Sequence, residues 1–222
     1  MGQLLTANVA TNLYWLGRYL ERIEGTLYEI NKAYDKIIDV DKNAGVILYK
    51  KFDIDLEYSG ALDFLSKAIL GEHDANLANI MKNARENSII SRANIEESAF
   101  GEIIQLHELF QSITKCPRPV DYRDIDSVLS LISEIWGAHT KMGHRRFSDH
   151  FLKLGKLVEE VDFRIRFNRG EDMTIFILQN IDRLIKVLEP DLKTEKLKKE
   201  YNDKSIDIMD SIYKKIDKLI IY

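Results

Sequence analysis

Cysteine is almost absent: Cys116 is the only one in 222 residues. That excludes a disulfide framework and a thiolate metal site, and a reducing, cytoplasmic setting is the simplest expectation. Proline is nearly as scarce, with three residues, which suits long uninterrupted helices. There is no excess of positive charge. The net charge is −4, so neither a nucleic-acid binder nor a protein held to an anionic membrane surface is expected. No run approaches 18 uncharged apolar residues, so no membrane span is expected. Met1 to Leu5 lacks the basic region and apolar run of a signal peptide. The rest is the balance of a folded globular chain, 45% hydrophobic and 31% charged.

What is present is a stretch that returns. Leu13-Tyr14-Trp15-Leu16-Gly17-Arg18-Tyr19-Leu20-Glu21-Arg22-Ile23-Glu24 is matched by Phe151-Leu152-Lys153-Leu154-Gly155-Lys156-Leu157-Val158-Glu159-Glu160-Val161-Asp162. Gly17 and Gly155, Glu21 and Glu159, and Glu24 and Asp162 are each 138 positions apart. Val9, Leu13, Leu16, Leu20, Ile23 and Leu27 map onto Phe147, Phe151, Leu154, Val158, Val161 and Ile165. Such self-similarity is read before the fold because it sets the architecture. The expectation is an all-α, elongated bundle of about six to eight helices. Two equivalent long helices should form an internal pseudo-two-fold repeat. One domain over 1–222 is expected, with halves of about 1–116 and 120–222.

The first helix should run from about Thr6 to Ile38. Val9, Leu13, Leu16, Leu20, Ile23, Leu27, Ile30, Tyr34 and Ile37 step by four and three, a 3.5-residue period typical of bundle packing. Arg18 and Arg22 fall nearly opposite this stripe on a helical wheel. Gly17 beside it suggests close approach of another backbone, since a mid-helix glycine otherwise costs about 1 kcal/mol. Asp39 to Gly45 reads as a break. Phe52 to Tyr58 alternates apolar and acidic residues like a strand, yet a lone strand has no partner in a helical domain. An extended connector is expected, with pairing to a second subunit as the alternative.

Ser59 could cap a helix over Ala61 to Leu70, closed by Gly71. A longer helix follows from about Ala75, with Leu77, Ile80, Ala84, Ser88, Ser91 and Ile95 on one face. It should bend near Asn94 and reach about Thr114. Cys116-Pro117-Arg118-Pro119 punctuates the chain. Asp124 or Asp126 opens the next helix, interrupted near Gly143 and His144-Arg145-Arg146. The second repeat helix spans about Arg146 to Asn168, and Glu171 to Glu189 forms another. Asp191 to Ile221 reads as a last helix or pair with a break at Asn202-Asp203. Alternating charges there suggest a solvated face.

Catalytic templates find little purchase. A ferritin-like site needs Glu-x-x-His on two helices, and no histidine here has Glu three residues before it. His107, His139, His144 and His150 could contribute to a haemerythrin-like site, but surface or capping roles are the simpler reading. No Walker loop, dinucleotide glycine motif or nucleophile elbow occurs. No metal or cofactor is expected. What remains is carboxylates one turn apart, Glu21 with Glu24 and Glu159 with Asp162. They could bind a cation or a ligand amine. The structural alternative pairs them with Arg85, Arg92 or Arg145 where helices cross.

The first of these stretches resembles the opening motif of the bacterial Alpha-E family. Ala84-Arg85-Glu86-Asn87, with Arg92, resembles its central motif, and the stretch from Phe151 to Asp162 its third. The chain departs from the pattern at Lys156 and Glu160, where arginine is favoured, and at Phe100, where tryptophan is usual. The resemblance implies an all-α domain associated with ATP-grasp ligases and with transglutaminase-like or proteasome-like peptidases. The candidate ligand site or buried polar cluster is therefore Arg18, Glu21, Arg22, Glu24, Arg85, Glu86, Asn87, Arg92, Glu159 and Asp162.

Two functions follow as expectations. One is a non-catalytic helical partner or binding module in an ATP-grasp peptide or amide ligase system. The other is an enzyme, with the carboxylates of the repeated helices as acid and base, or a metal- or ligand-binding protein using those paired carboxylates. A self-associating structural bundle is a third. Whichever holds, the helices of Glu21 and Glu159 are expected to pack side by side at the two glycines about an approximate two-fold axis, with Arg85 and Arg92 as their cations.

Overall fold

A computed structural model describes residues 5–140, 147–193, 195–202 and 207–221. Among them are one short 3-10 helix and ten α-helices: α1 (Ala7–Asp39), α2 (Ala44–Lys50), α3 (Ala61–Leu70), α4 (Leu77–Ile90), α5 (Glu97–Lys115), α6 (Tyr122–Thr140), α7 (Phe147–Arg166), α8 (Glu171–Leu188), α9 (Leu197–Asn202) and α10 (Ile208–Ile221). The expected interruptions at Gly143, His144, Arg145 and Arg146, and at Asp203, lie outside the described residues. The fold is all-α, and no described helix is long and apolar enough to cross a membrane.

Contacts group the chain into two compact units. One holds residues 1–21 and 144–222, the other residues 22–143. Helix α1 contributes its beginning to the first and the rest to the second. The Cys116–Pro119 connector therefore lies inside the second unit, where α5 packs along α6.

In the first unit α7 packs along α8, and α8 contacts α9 and α10. The core stripe of α7 is Phe151, Leu154, Val158 and Val161, all buried. The positions matching the ends of the α1 pattern do not join it: Phe147 is 49% and Ile165 41% exposed, whereas Leu27 is 1% exposed. The two helices also differ in length, at 33 and 20 residues. The solvated face expected near the C-terminus is corrected. Ile208, Ile212, Ile216 and Leu219 form a buried stripe on α10, and Lys215 is buried beside it. Lys214 next to it is exposed and pairs with Asp210. Sign alternation cannot distinguish the two lysines; burial by neighbouring helices does.

In the second unit α3, α4, α5 and α6 pack in sequence order. Thr6 opens α1 by accepting the Val9 N–H. Leu20, Ile23, Leu27, Ile30 and Ile37 are buried along it, as the period requires. Helix α2 departs from the expectation: it begins inside the break read over Asp39 to Gly45 and ends before the connector at Phe52. Gly45 explains its position. A Cβ there would lie 2.6 Å from the Phe64 ring and 2.7 Å from Tyr58, so α2 and its neighbours close tightly on a glycine. Residues 54–58 form no strand and run as an irregular connector, with Leu56 buried and Asp55 and Glu57 exposed. An irregular chain lying on a core gives the same alternation as a strand. Helix α3 ends where expected, but its N-cap is Gly60. Ser59 instead donates both its N–H and hydroxyl to Asp63.

The helix from about Ala75 to Thr114 breaks at a 3-10 turn, Arg92–Asn94. Asn76 caps α4 and Glu96 caps α5, each accepting a backbone N–H three residues on. The small polar face is buried as the pattern suggests, from Leu77 through Ser88 and Ser91 to Ile95. Ser88 donates to the Arg85 carbonyl at 2.7 Å. The Ser91 hydroxyl is buried without a hydrogen-bond partner among the described residues.

Candidate functional site

The two glycines of the matching stretches meet. A Cβ on Gly17 would lie 2.0 Å from the carbonyl oxygen of Leu152 and 3.1 Å from the Lys156 nitrogen. A Cβ on Gly155 would lie 1.9 Å from the Tyr14 carbonyl oxygen and 3.0 Å from the Arg18 nitrogen. Tyr14 and Leu152, and Arg18 and Lys156, are each 138 positions apart, as the glycines are. The contact thus reads the same from either helix. Only hydrogen fits on both Cα atoms, so α1 and α7 pack backbone to backbone.

Two ion pairs flank this crossing. Arg18 Nε donates to Glu159 Oε2 at 2.8 Å, with both side chains buried. Lys156 Nζ lies 3.3 Å from Glu21 Oε2, and these side chains are partly exposed. The second pair is the first shifted by 138 positions on both partners. These cations replace the ones expected. Arg85 pairs with its neighbour Glu86 at 2.6 Å, and Arg92 lies over the Phe100 ring at 4.9 Å. Arg145 lies outside the described residues.

Arg18 is sealed on its other sides. Its Nη2 donates to the Tyr213 hydroxyl at 3.2 Å, bringing α10 onto α1. Its guanidinium carbon lies 4.9 Å from the Trp15 ring, 5.3 Å from Tyr213 and 5.9 Å from Tyr14. Burial opposes its charge, but Glu159 leads the groups that restore it, so the guanidinium is held above the usual arginine range. Burial raises the Tyr14 phenol, with Arg18 opposing. The helical wheel placed Arg18 away from the core. That fails because α1 is covered on more than one side here: Leu13, Tyr14, Leu16, Gly17, Arg18 and Leu20 are all buried.

The paired carboxylates separate. Glu24 accepts the Trp136 indole N–H at 3.0 Å in the second unit, while Glu21 faces Lys156 in the first. Asp162 pairs with Arg166 at 3.4 Å along its own helix. Arg22 is half-buried on α1. Asn87 accepts the Ser91 N–H through its backbone carbonyl. The structure therefore gathers Arg18, Glu21 and Glu159 with Lys156, which was singled out only as a departure from the pattern. It also brings in Tyr213. No local motif marks Tyr213, because its contact with Arg18 joins residues 195 positions apart. Among the histidines, His73 Nε2 lies 2.8 Å from the Lys67 carbonyl, a capping role. Cys116 is exposed at the end of α5. No group of three or more His, Cys, Asp or Glu among the described residues is placed to hold a metal ion.

An all-α chain whose glycine crossing is bracketed by Arg–Glu and Lys–Glu pairs defines a helical domain organised around a charged motif. A family model described as a predicted alpha-helical domain with a conserved ER motif, Alpha-E, matches residues 5–196, and the chain belongs to the Alpha-E family. Glu21-Arg22 is the only Glu-Arg dipeptide in the chain. No curated protein and no solved structure matches it.

Proposed function

We propose that this protein is a non-catalytic helical partner in an ATP-grasp peptide or amide ligase system, working in the cytoplasm. The observation that carries this reading is the state of Arg18. Its charge is spent on buried Glu159, and its faces are covered by Trp15, Tyr14 and Tyr213. A catalytic cation must keep donors open to the reacting group, and a covered one instead fixes helix geometry. The motif therefore fixes the crossing of α1 and α7, a role that fits a binding module better than a catalyst. The ligase and peptidase association comes from the motif resemblance alone.

The test is affinity purification of the tagged full-length chain from its own cells, with retained proteins identified by mass spectrometry. Retention of an ATP-grasp ligase, reduced by a variant that still folds, supports the proposal. Retention of neither ligase nor peptidase, with no such gene beside this one, would remove it.

A further inference from the structure

The second unit holds a groove between α4 and α5 whose charges are arranged unlike those of the glycine crossing. Its volume is about 770 Å3. Lys82, Arg85 and Glu86 line it from α4, and His107, Glu108 and Lys115 from α5, above an apolar contact at Ile104. Arg85 donates through Nη1 to Glu86, which leaves Nε and Nη2 without an acceptor among the described residues. Lys82, Lys115 and Glu108 make no ion pair among those residues. Hydrogen-bonding capacity of both signs is therefore unspent along one wall-to-wall surface. At the crossing, by contrast, Arg18 is enclosed.

We infer that this groove binds a short peptide with both of its termini charged. Arg85, with Lys82 and Lys115, takes the carboxylate. The guanidinium suits it because two parallel N–H donors match two carboxylate oxygens. Glu108 takes the ammonium. Arg85 and Glu108 both act electrostatically on His107, with opposite sign, so opposite charges lie within reach of one ring. Burial, then Arg85, lowers the His107 pKa below the ordinary value, while Glu108 and Glu86 raise it. The imidazole therefore favours its neutral form at neutral pH and adds no further cation to the site. The α5 wall from Ile104 to Lys115 runs for about 16 Å at 1.5 Å per residue, enough for a few peptide units. A ligand with only one charge would leave either Glu108 or the three cations unmatched. This inference extends the ligase-partner reading to a substrate-like ligand but does not depend on it, because its test contains no ligase.

The experiment uses the full chain at constant ionic strength and follows the His107 imidazole by NMR. The probes are trialanine, trialanine amide and N-acetyl-trialanine. The free peptide should give a saturable shift and raise the His107 midpoint, because its carboxylate offsets Arg85. Amidation and acetylation should each weaken binding about tenfold, the loss of one charged contact. Arg85→Gln should abolish the penalty of amidation, and Glu108→Gln the penalty of acetylation. Melting by circular dichroism checks that Arg85→Gln is folded. If it is not, Lys115→Gln at the exposed end of α5 takes its place and should lessen the same penalty. A shift that never saturates, equal binding of all three probes, or a penalty from only one blocked end would each overturn the proposal.

Discussion

Arg18 and Glu159 are 141 residues apart in sequence, yet their side chains share a 2.8 Å hydrogen bond with almost no exposure to solvent. Lys156 and Glu21 repeat the pairing across the same crossing at 3.3 Å, nearer to water. One contact geometry thus occurs twice with different burial, which lets its energetics be separated by experiment.

Arg18→Met should destabilise by about 3–5 kcal/mol, because it strands a buried carboxylate. Lys156→Met should cost less, about 1 kcal/mol, since 30% of the Lys156 side chain and 14% of that of Glu21 stay exposed. The double variant Arg18→Met, Glu159→Leu should be milder than the sum of the singles. Urea unfolding followed by circular dichroism measures these variants, Glu159→Leu alone and the wild type. Equal losses for Arg18→Met and Lys156→Met would show that burial does not distinguish the pairs.

Gly17→Ala should destabilise by about 3 kcal/mol, because the new methyl would meet the Leu152 carbonyl oxygen and neither backbone can yield alone. Gly155→Ala should do the same against Tyr14. Gly101, inside α5 and exposed, has nothing within 4 Å of an added Cβ. Gly101→Ala should therefore stabilise, by about 0.5–1 kcal/mol. Thermal melts of the three variants give the signs directly, and a harmless Gly17→Ala would contradict the backbone contact.

The crossing was legible because a glycine inside a strongly periodic helix has few explanations other than close approach. Its register was legible because one offset related the two glycines and four apolar pairs that are buried on both helices, although the end positions Phe147 and Ile165 stay exposed. The cations were not. A helical wheel ranks faces from one helix alone, so Arg18 fell outside the core. Only α7 and α10 packing onto α1 turned that face inward. The same limit hid Lys215, whose neighbours come from α8 and α9. It also hid the separation of Glu21 from Glu24, which depends on Trp136 arriving from a distant helix. Helix α2 was missed because its seven residues are too few to show a period.

Two aspartates should tilt the acid limb of stability in opposite directions. Asp124 is bound by Arg118 at 2.7 Å, which holds its carboxyl below the usual range, despite some burial. The unfolded chain then binds more protons, so this contribution is full above about pH 4 and lost as pH falls through the folded value. Burial raises Asp182 despite Lys215. Between the ordinary and raised values the folded chain binds more protons, so stability falls as pH rises. Asp124→Asn should flatten the rise in the urea midpoint from acid towards neutral pH, and Asp182→Asn should steepen it. Parallel shifts in both variants would refute the assignment.

Lys215 offers the clearest test of the C-terminal helix. Its ammonium lies 3.3 Å from Glu200 and 3.9 Å from Asp182, and it donates to the Glu195 carbonyl. Asp182 also accepts the Leu197 N–H at 2.9 Å, and Glu200 accepts the Ser211 hydroxyl. One buried cation therefore joins α8, α9 and α10. Lys215→Met keeps the apolar stem but strands two carboxylates, and should cost about 3 kcal/mol. Amide hydrogen exchange should quicken most in α10, because a local loss is felt first where the tie is made. Adding Asp182→Asn and Glu200→Gln to Lys215→Met should recover part of the loss, since no charge is then left unpaired. If Lys215→Met melts with the wild type and leaves α10 protected, the ammonium is solvated and α10 is held by its apolar stripe alone.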